Sequence, residues 1–294
     1  VKSFSPSSTA YAGLALLLLP LLGACSAGAS GPQGSSARSD DAPGRSPVHR
    51  LDDSKTLELP LDAYLLTTPD LETLSTGRDA LVQRCLAALG APAAPAPRGG
   101  VKIGTNERRY GLADPELAKA HGYHLPDAGQ PIEDYPPAAM ALVRGEVTTY
   151  NGKPVPEGGC AQEAGRELHD TELQQALGPV QRLDVESYET SRKDPAVTEV
   201  SGKWSTCMEE SGYRYPDPVA AINDREFASG APSDHEKAVA LADVLCKRKV
   251  NLIGVWSGAE SAYQRSLIKS KSSVLAAPLL AKEKTMSIAK AAVN

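Results

Sequence analysis

Residues 233–270 read SDHEKAVALADVLCKRKVNLIGVWSGAESAYQRSLIKS, the longest periodic stretch of the chain. Ser233 and Glu236 form a capping-box pair, a serine at the cap with a glutamate three positions into the helix. Val239, Ala242, Cys246, Val250, Ile253, Trp256, Glu260, Tyr263 and Leu267 then follow on one face at helical intervals. The pattern predicts a helix of some thirty residues, with Gly254 and Gly258 as candidate points for a bend.

The flanking sequence adds helices. Asp194-Pro195 pairs a capping carboxylate with proline at the first helical position. Val197, Val200, Trp204, Cys207, Met208 and Ser211 repeat behind it, and Gly212 sits past the end. Asp217-Pro218 opens a shorter helix towards Phe227. Residues 273–294 hold a further amphipathic stretch with Lys282, Lys284 and Lys290 on its polar side. Upstream, Leu74, Leu81, Cys85 and Leu89, widened by Val82 and Leu86, predict a helix over 71–89 ended by Gly90 and Pro92. Asp114-Pro115-Glu116 and residues 138–144 predict two brief helices. Pro60 argues against a central strand in 51–66, which reads as an extended surface segment. Asn151-Gly152 signals a type I′ hairpin turn, but Pro154 and Pro156 disrupt the second arm, so a hairpin and a plain loop both remain open. The expected fold is mainly α: a disulfide-linked helical domain whose N-terminal half is rich in loops. The expected organisation is a signal at 1–24, a tether at 25–49, a loop-rich helical subdomain at 50–159 and a helical domain with a long C-terminal helix at 160–294.

The first residues give a location. Lys2 precedes an apolar run from Tyr11 to Leu22, broken only by Pro20, and small residues then lead into Cys25. This is the pattern of a secretory signal, and the run is shorter than the roughly 20 residues of a spanning helix. Leu22-Gly23-Ala24-Cys25 resembles the lipobox of bacterial lipoproteins. The resemblance implies cleavage between Ala24 and Cys25 and a diacylglyceryl group on the Cys25 sulfur, which carries the two acyl chains that stable anchoring requires. Residues 26–49, rich in Ser, Gly, Ala and Pro, read as a flexible tether with an r.m.s. span of roughly 25–30 Å. The expected location is the outer face of the cytoplasmic membrane, with the anchor as the membrane contact.

Cys85, Cys160, Cys207 and Cys246 remain. An even number in an exported chain suggests two disulfides, with three pairings open. Cys207 and Cys246 lie on the apolar faces of two strong helices, which favours that pair and leaves Cys85 with Cys160. The formal charge is −5, or −6 once Lys2 leaves with the signal. That balance argues against nucleic acid, which needs clustered Lys and Arg.

No group of residues rises to a reaction. His121 and His124 lack further ligands, so neither metal nor other cofactor is expected. Glu209 and Glu210 diverge on a helix, since neighbours point about 100° apart. Glu260, on the apolar stripe between Trp256 and Tyr263, must be either paired with a cation or perturbed. Trp204, Tyr213, Tyr215, Trp256 and Tyr263, with Glu260, are candidates for lining a ligand groove, and alternatively fill the core. Ser266 to Lys269 matches S-x-x-K without a companion motif.

W-S-T-C-M-E-E-S-G-Y at 204–213 and V-L-C-K-R-K-V-N-L at 244–252 resemble a set of exported actinobacterial proteins sharing W-x-x-C-M-x-x-x-G-Y and a later helical cysteine. The resemblance implies a helical, disulfide-linked cell-surface protein and carries no activity. The expected role is therefore binding or scaffolding in the cell envelope, with cell wall or an envelope protein as partner. The alternatives are an envelope glycan hydrolase using Glu260 or Glu210 as acid and a solute-binding lipoprotein. The last is disfavoured by the lack of βαβ alternation.

Overall fold

The computed structural model describes residues 49–94, 103–126 and 135–294. The expected signal, the lipobox-like segment with Cys25, nearly all of the expected tether and residues 95–100 of the Pro/Ala/Gly stretch lie outside the described residues. Among the described residues there are ten α-helices: α1 (Thr68–Leu89), α2 (Pro115–His121), α3 (Pro137–Arg144), α4 (Gly159–Glu167), α5 (Asp170–Ser191), α6 (Pro195–Glu210), α7 (Pro218–Ile222), α8 (Asp234–Val250), α9 (Leu252–Ser270) and α10 (Ser272–Val293). The fold is mainly α and disulfide-linked.

The helix starts follow local chemistry. Asp114, Asp194 and Asp217 each accept amide hydrogen bonds from the first turn that their proline opens. Helix α1 begins earlier than periodicity indicates, because Thr67 and Asp70 make a reciprocal cap. Ser233 caps α8 by accepting from the Glu236 amide at 3.1 Å, whereas the Glu236 carboxylate turns away to accept from the Tyr123 amide at 2.8 Å.

Three elements depart from or settle the sequence reading. The thirty-residue helix is two helices: Asn251 adopts φ +57° between α8 and α9. Asparagine tolerates this left-handed conformation, and the break falls there rather than at Gly254 or Gly258. Its side chain is used, with Oδ1 accepting from the Leu51 amide (3.0 Å) and Nδ2 donating to the His49 carbonyl (3.2 Å). Pro60 does not sit in an extended stretch but opens a 3₁₀ turn, Pro60–Tyr64, that buries Leu61. The hairpin forms, with Thr149–Tyr150 (β1) antiparallel to Lys153–Pro154 (β2) and both Asn151 and Gly152 at positive φ. Lys153 and Asn151 donate to the carbonyls of Ala88 and Leu89, so the hairpin caps the C-terminus of α1.

Among the described residues the buried side chains form two apolar cores. The first joins the 3₁₀ turn, α1, α3, α4, α5 as far as Leu183, the end of α9, and α10. The second joins α2, α6, α7, α8 and the start of α9, with Trp204 and Trp256 as its largest members. Each core draws on chain from both sides of residue 160. Each also holds one disulfide: Cys85–Cys160 ties α1 to α4, and Cys207–Cys246 ties α6 to α8, with Cα separations of 5.6 and 5.7 Å. In the first core Gly77 lets α1 approach α10 closely, since a Cβ there would stand 2.6 Å from the Ala289 backbone.

Candidate functional site

Helices α5 and α9 run from one core into the other. Along α5, Leu173, Leu177, Val180 and Leu183 belong to the first core, and Tyr188 packs against the second. Along α9, Trp256 belongs to the second core and Leu267 to the first. Between them lie Asp184, Ser187, Glu260 and Gln264, so a polar layer separates the two apolar bodies.

Arg109 is the centre of that layer. Its Nε donates to both Glu260 oxygens at 3.0 and 3.1 Å, and its Nη2 makes a further short bond to Glu260 Oε1. Its Nη1 and Nη2 grip the Asp184 carboxylate at 3.0 and 2.8 Å. Tyr110 Oη donates to Glu260 Oε2 (2.7 Å), and Ser187 Oγ and Gln264 Nε2 approach Oε1 at 2.9 and 3.2 Å. The amide of Leu61 donates to Gln264 Oε1 at 2.9 Å, which seats the 3₁₀ turn on the layer. Burial opposes charge on Arg109, yet the carboxylates of Glu260 and Asp184 outweigh it and hold the guanidinium above its ordinary range. Burial first, and then Glu260, push the Tyr110 hydroxyl far above its usual range, so it remains a donor.

The outer face of the 3₁₀ turn borders a cleft of 860 Å³, lined also by residues 55–59, the first turns of α1, residues 103–105 and Lys282 of α10. Its volume suits a small ligand. Lys282 is engaged, bonding Asp70 Oδ2 at 2.7 Å and the Leu65 carbonyl at 2.6 Å. Asp62 lies between cleft and layer. Its Oδ2 accepts from the Leu59 amide and from Asn106 Nδ2, both at 2.7 Å. Burial raises its pKa above the ordinary 3.8, against the pull of those donors and of Arg109. A carboxyl raised in the fold gives stability that is present below its unfolded pKa and lost as pH rises through the folded one. Asp62→Asn keeps an acceptor oxygen and removes the ionisation. Its urea midpoint at pH 7 is expected to exceed that of the wild type, with the difference vanishing towards pH 3. A lower midpoint at pH 7 only would reverse this assignment.

The residues singled out in the sequence do not form one groove. Trp204 is fully buried, donating to Asp243 Oδ1 at 3.0 Å. Trp256 is wedged between Tyr110 and Tyr188 and donates to Ser191 Oγ at 3.1 Å. Tyr215 donates to Asp224 (2.8 Å), and Tyr213 packs edge-on to His235. Tyr263 packs against the first core and donates to Glu186 at 2.9 Å. The reason is that the stripe carrying Trp204, Trp256 and Glu260 is the face by which α6, α5 and α9 pack.

The side chain of Glu260 is 0 % exposed and accepts from Arg109, Tyr110, Ser187 and Gln264. Glu210 is exposed and pairs with Lys249 at 3.0 Å. His124 sits 3.3 Å from Glu236, and among the described residues no group of three His, Cys, Asp or Glu could hold a metal. No helix among them is long and apolar enough to cross a membrane. Arg109, Asp184, Gln264, Asp62 and Asp243 were not legible as site residues. Only the place of Glu260 on an apolar stripe pointed to a cation partner, without naming it.

Among the described residues the architecture is that of a mainly α protein with two disulfides, two cores and a buried ionic layer between them. Compared with protein-family models, curated proteins and solved structures, the chain matches none of them.

Proposed function

We propose that this is an exported lipoprotein, anchored through Cys25 to the outer face of the cytoplasmic membrane, that binds a component of the cell envelope. The observation that carries the reading is the cysteine pairing. Four of the five cysteines are consumed in two disulfides, one per core, and Cys25 alone is left over. Disulfides of this kind belong to oxidising compartments. The leftover cysteine stands in Leu22-Gly23-Ala24-Cys25, the segment similar to a lipobox, and residues 204–213 resemble exported proteins. A binding role is favoured over catalysis because the buried carboxylate of α9 is saturated, whereas the cleft beside Pro60–Tyr64 is open.

Expression of the full chain in a bacterial host tests the anchor. The wild type is expected in the detergent phase on Triton X-114 partitioning, with residues 1–24 absent and fatty acids present by mass spectrometry. Cys25→Ser is expected in the aqueous phase without fatty acids. A wild-type chain that keeps residues 1–24 and carries no lipid overturns the anchor. The binding role predicts saturable co-sedimentation with purified cell wall or envelope membranes. Ala63→Trp, which fills the cleft from an exposed position, is expected to abolish it.

A further inference from the structure

A second buried ionic group lies outside the polar layer. Asp243 and Lys247 stand four residues apart on α8, and both side chains are 0 % exposed. That spacing places them on one helix face with Cβ atoms about 5–6 Å apart. Lys247 Nζ is 2.9 Å from Asp243 Oδ2 and donates to the Leu112 carbonyl at 3.0 Å. Trp204 Nε1 donates to Asp243 Oδ1 at 3.0 Å. Gly111 keeps the space above the amine open, since a Cβ there would come within 2.7 Å of Nζ. Burial first, and then the charge of Asp243, push the Tyr123 hydroxyl far above its usual range.

We infer that Asp243 and Lys247 are the two halves of an intramolecular amide cross-link, a lactam bridging one turn of α8. The pieces fit the chemistry. The ammonium gives one proton to Asp243 Oδ2, producing a neutral amine and a neutral carboxylic acid. Nζ then attacks Cγ, and the charge that develops on Oδ1 meets the Trp204 N–H already aimed at it. Nζ gives its second proton to the Oδ2 hydroxyl, the Cγ–Oδ2 bond breaks, and water departs. One N–C bond replaces one C–O bond, one water is released, and no further reactant is consumed. The buried setting favours this course twice. It holds the reacting groups together, and it makes two full charges costly where a neutral amide is not. Burial also raises the Asp243 carboxyl above its ordinary pKa, against the pull of Lys247, which favours the neutral acid.

Mass spectrometry of the folded full chain decides the matter. After reduction and alkylation, the tryptic peptide Ala238–Arg248 is expected one water lighter than its sequence, uncut after Lys247, with no fragment ions from breaks between residues 243 and 247. Lys247→Arg is expected at full mass. Folded wild type, with both disulfides closed, at full mass overturns the inference. So does a water loss that persists in Lys247→Arg or is opened by hydroxylamine, since that marks a cyclic imide at Asp243 instead. Should Lys247→Arg not fold, the fragment map of the wild type still decides.

Discussion

Replacing Arg109 with methionine is expected to destabilise the fold by about 3–5 kcal/mol, because it strands a buried carboxylate without its cation. Glu260 has no exposure with which to recover solvation, and Asp184 faces it across the same site. Arg109→Lys is expected to retain only part of the stability, since a single ammonium cannot fork to both carboxylates. Adding Glu260→Gln to Arg109→Met is expected to recover part of the loss, because the orphaned charge is removed. Urea unfolding followed by circular dichroism gives all three midpoints. Unchanged midpoints would mean that the layer is solvated and contributes nothing.

The second large effect concerns the disulfides. Cys85–Cys160 spans 75 residues and Cys207–Cys246 spans 39. Chain entropy assigns closure of these loops roughly 4.5 and 4 kcal/mol, and removing a native disulfide typically costs about 2–5 kcal/mol. Paired replacement by serine is expected to lower stability in both cases, slightly more for Cys85/Cys160. The losses are expected in different places. Each bridge lies in its own core, so hydrogen exchange should rise first in α1 and α4 for one variant and in α6 and α8 for the other. A uniform rise across both cores would show that the polar layer couples them into one cooperative unit.

Most of the helices and the favoured disulfide partners were legible from local signals, whereas α4 and α5 were covered only by the expectation of a helical domain from residue 160. Asp-Pro starts, glycine ends and repeats of three and four residues mark helices whatever packs against them. Cys207 and Cys246 could be paired because each lies on a face that must be buried. Asn251 was missed because one residue in a left-handed conformation leaves the apolar repeat in phase on both sides. Arg109 was missed because residues 103–113 carry no period at all, and its partners stand 75 and 151 positions away. Asp243 and Lys247 left a fainter trace: they fall on the same side of α8 as Val239 and Cys246, where a charge is out of place.

The clamp of residues 49–52 on the α8–α9 joint has a mechanical consequence. Asn251 holds His49 and Leu51, and Arg248 donates to the Asp52 carbonyl at 2.8 Å. Any pull on the N-terminal end therefore loads this joint before it reaches α1. The segment would be peeled away bond by bond, so it should let go at low force while the helices behind it stay folded.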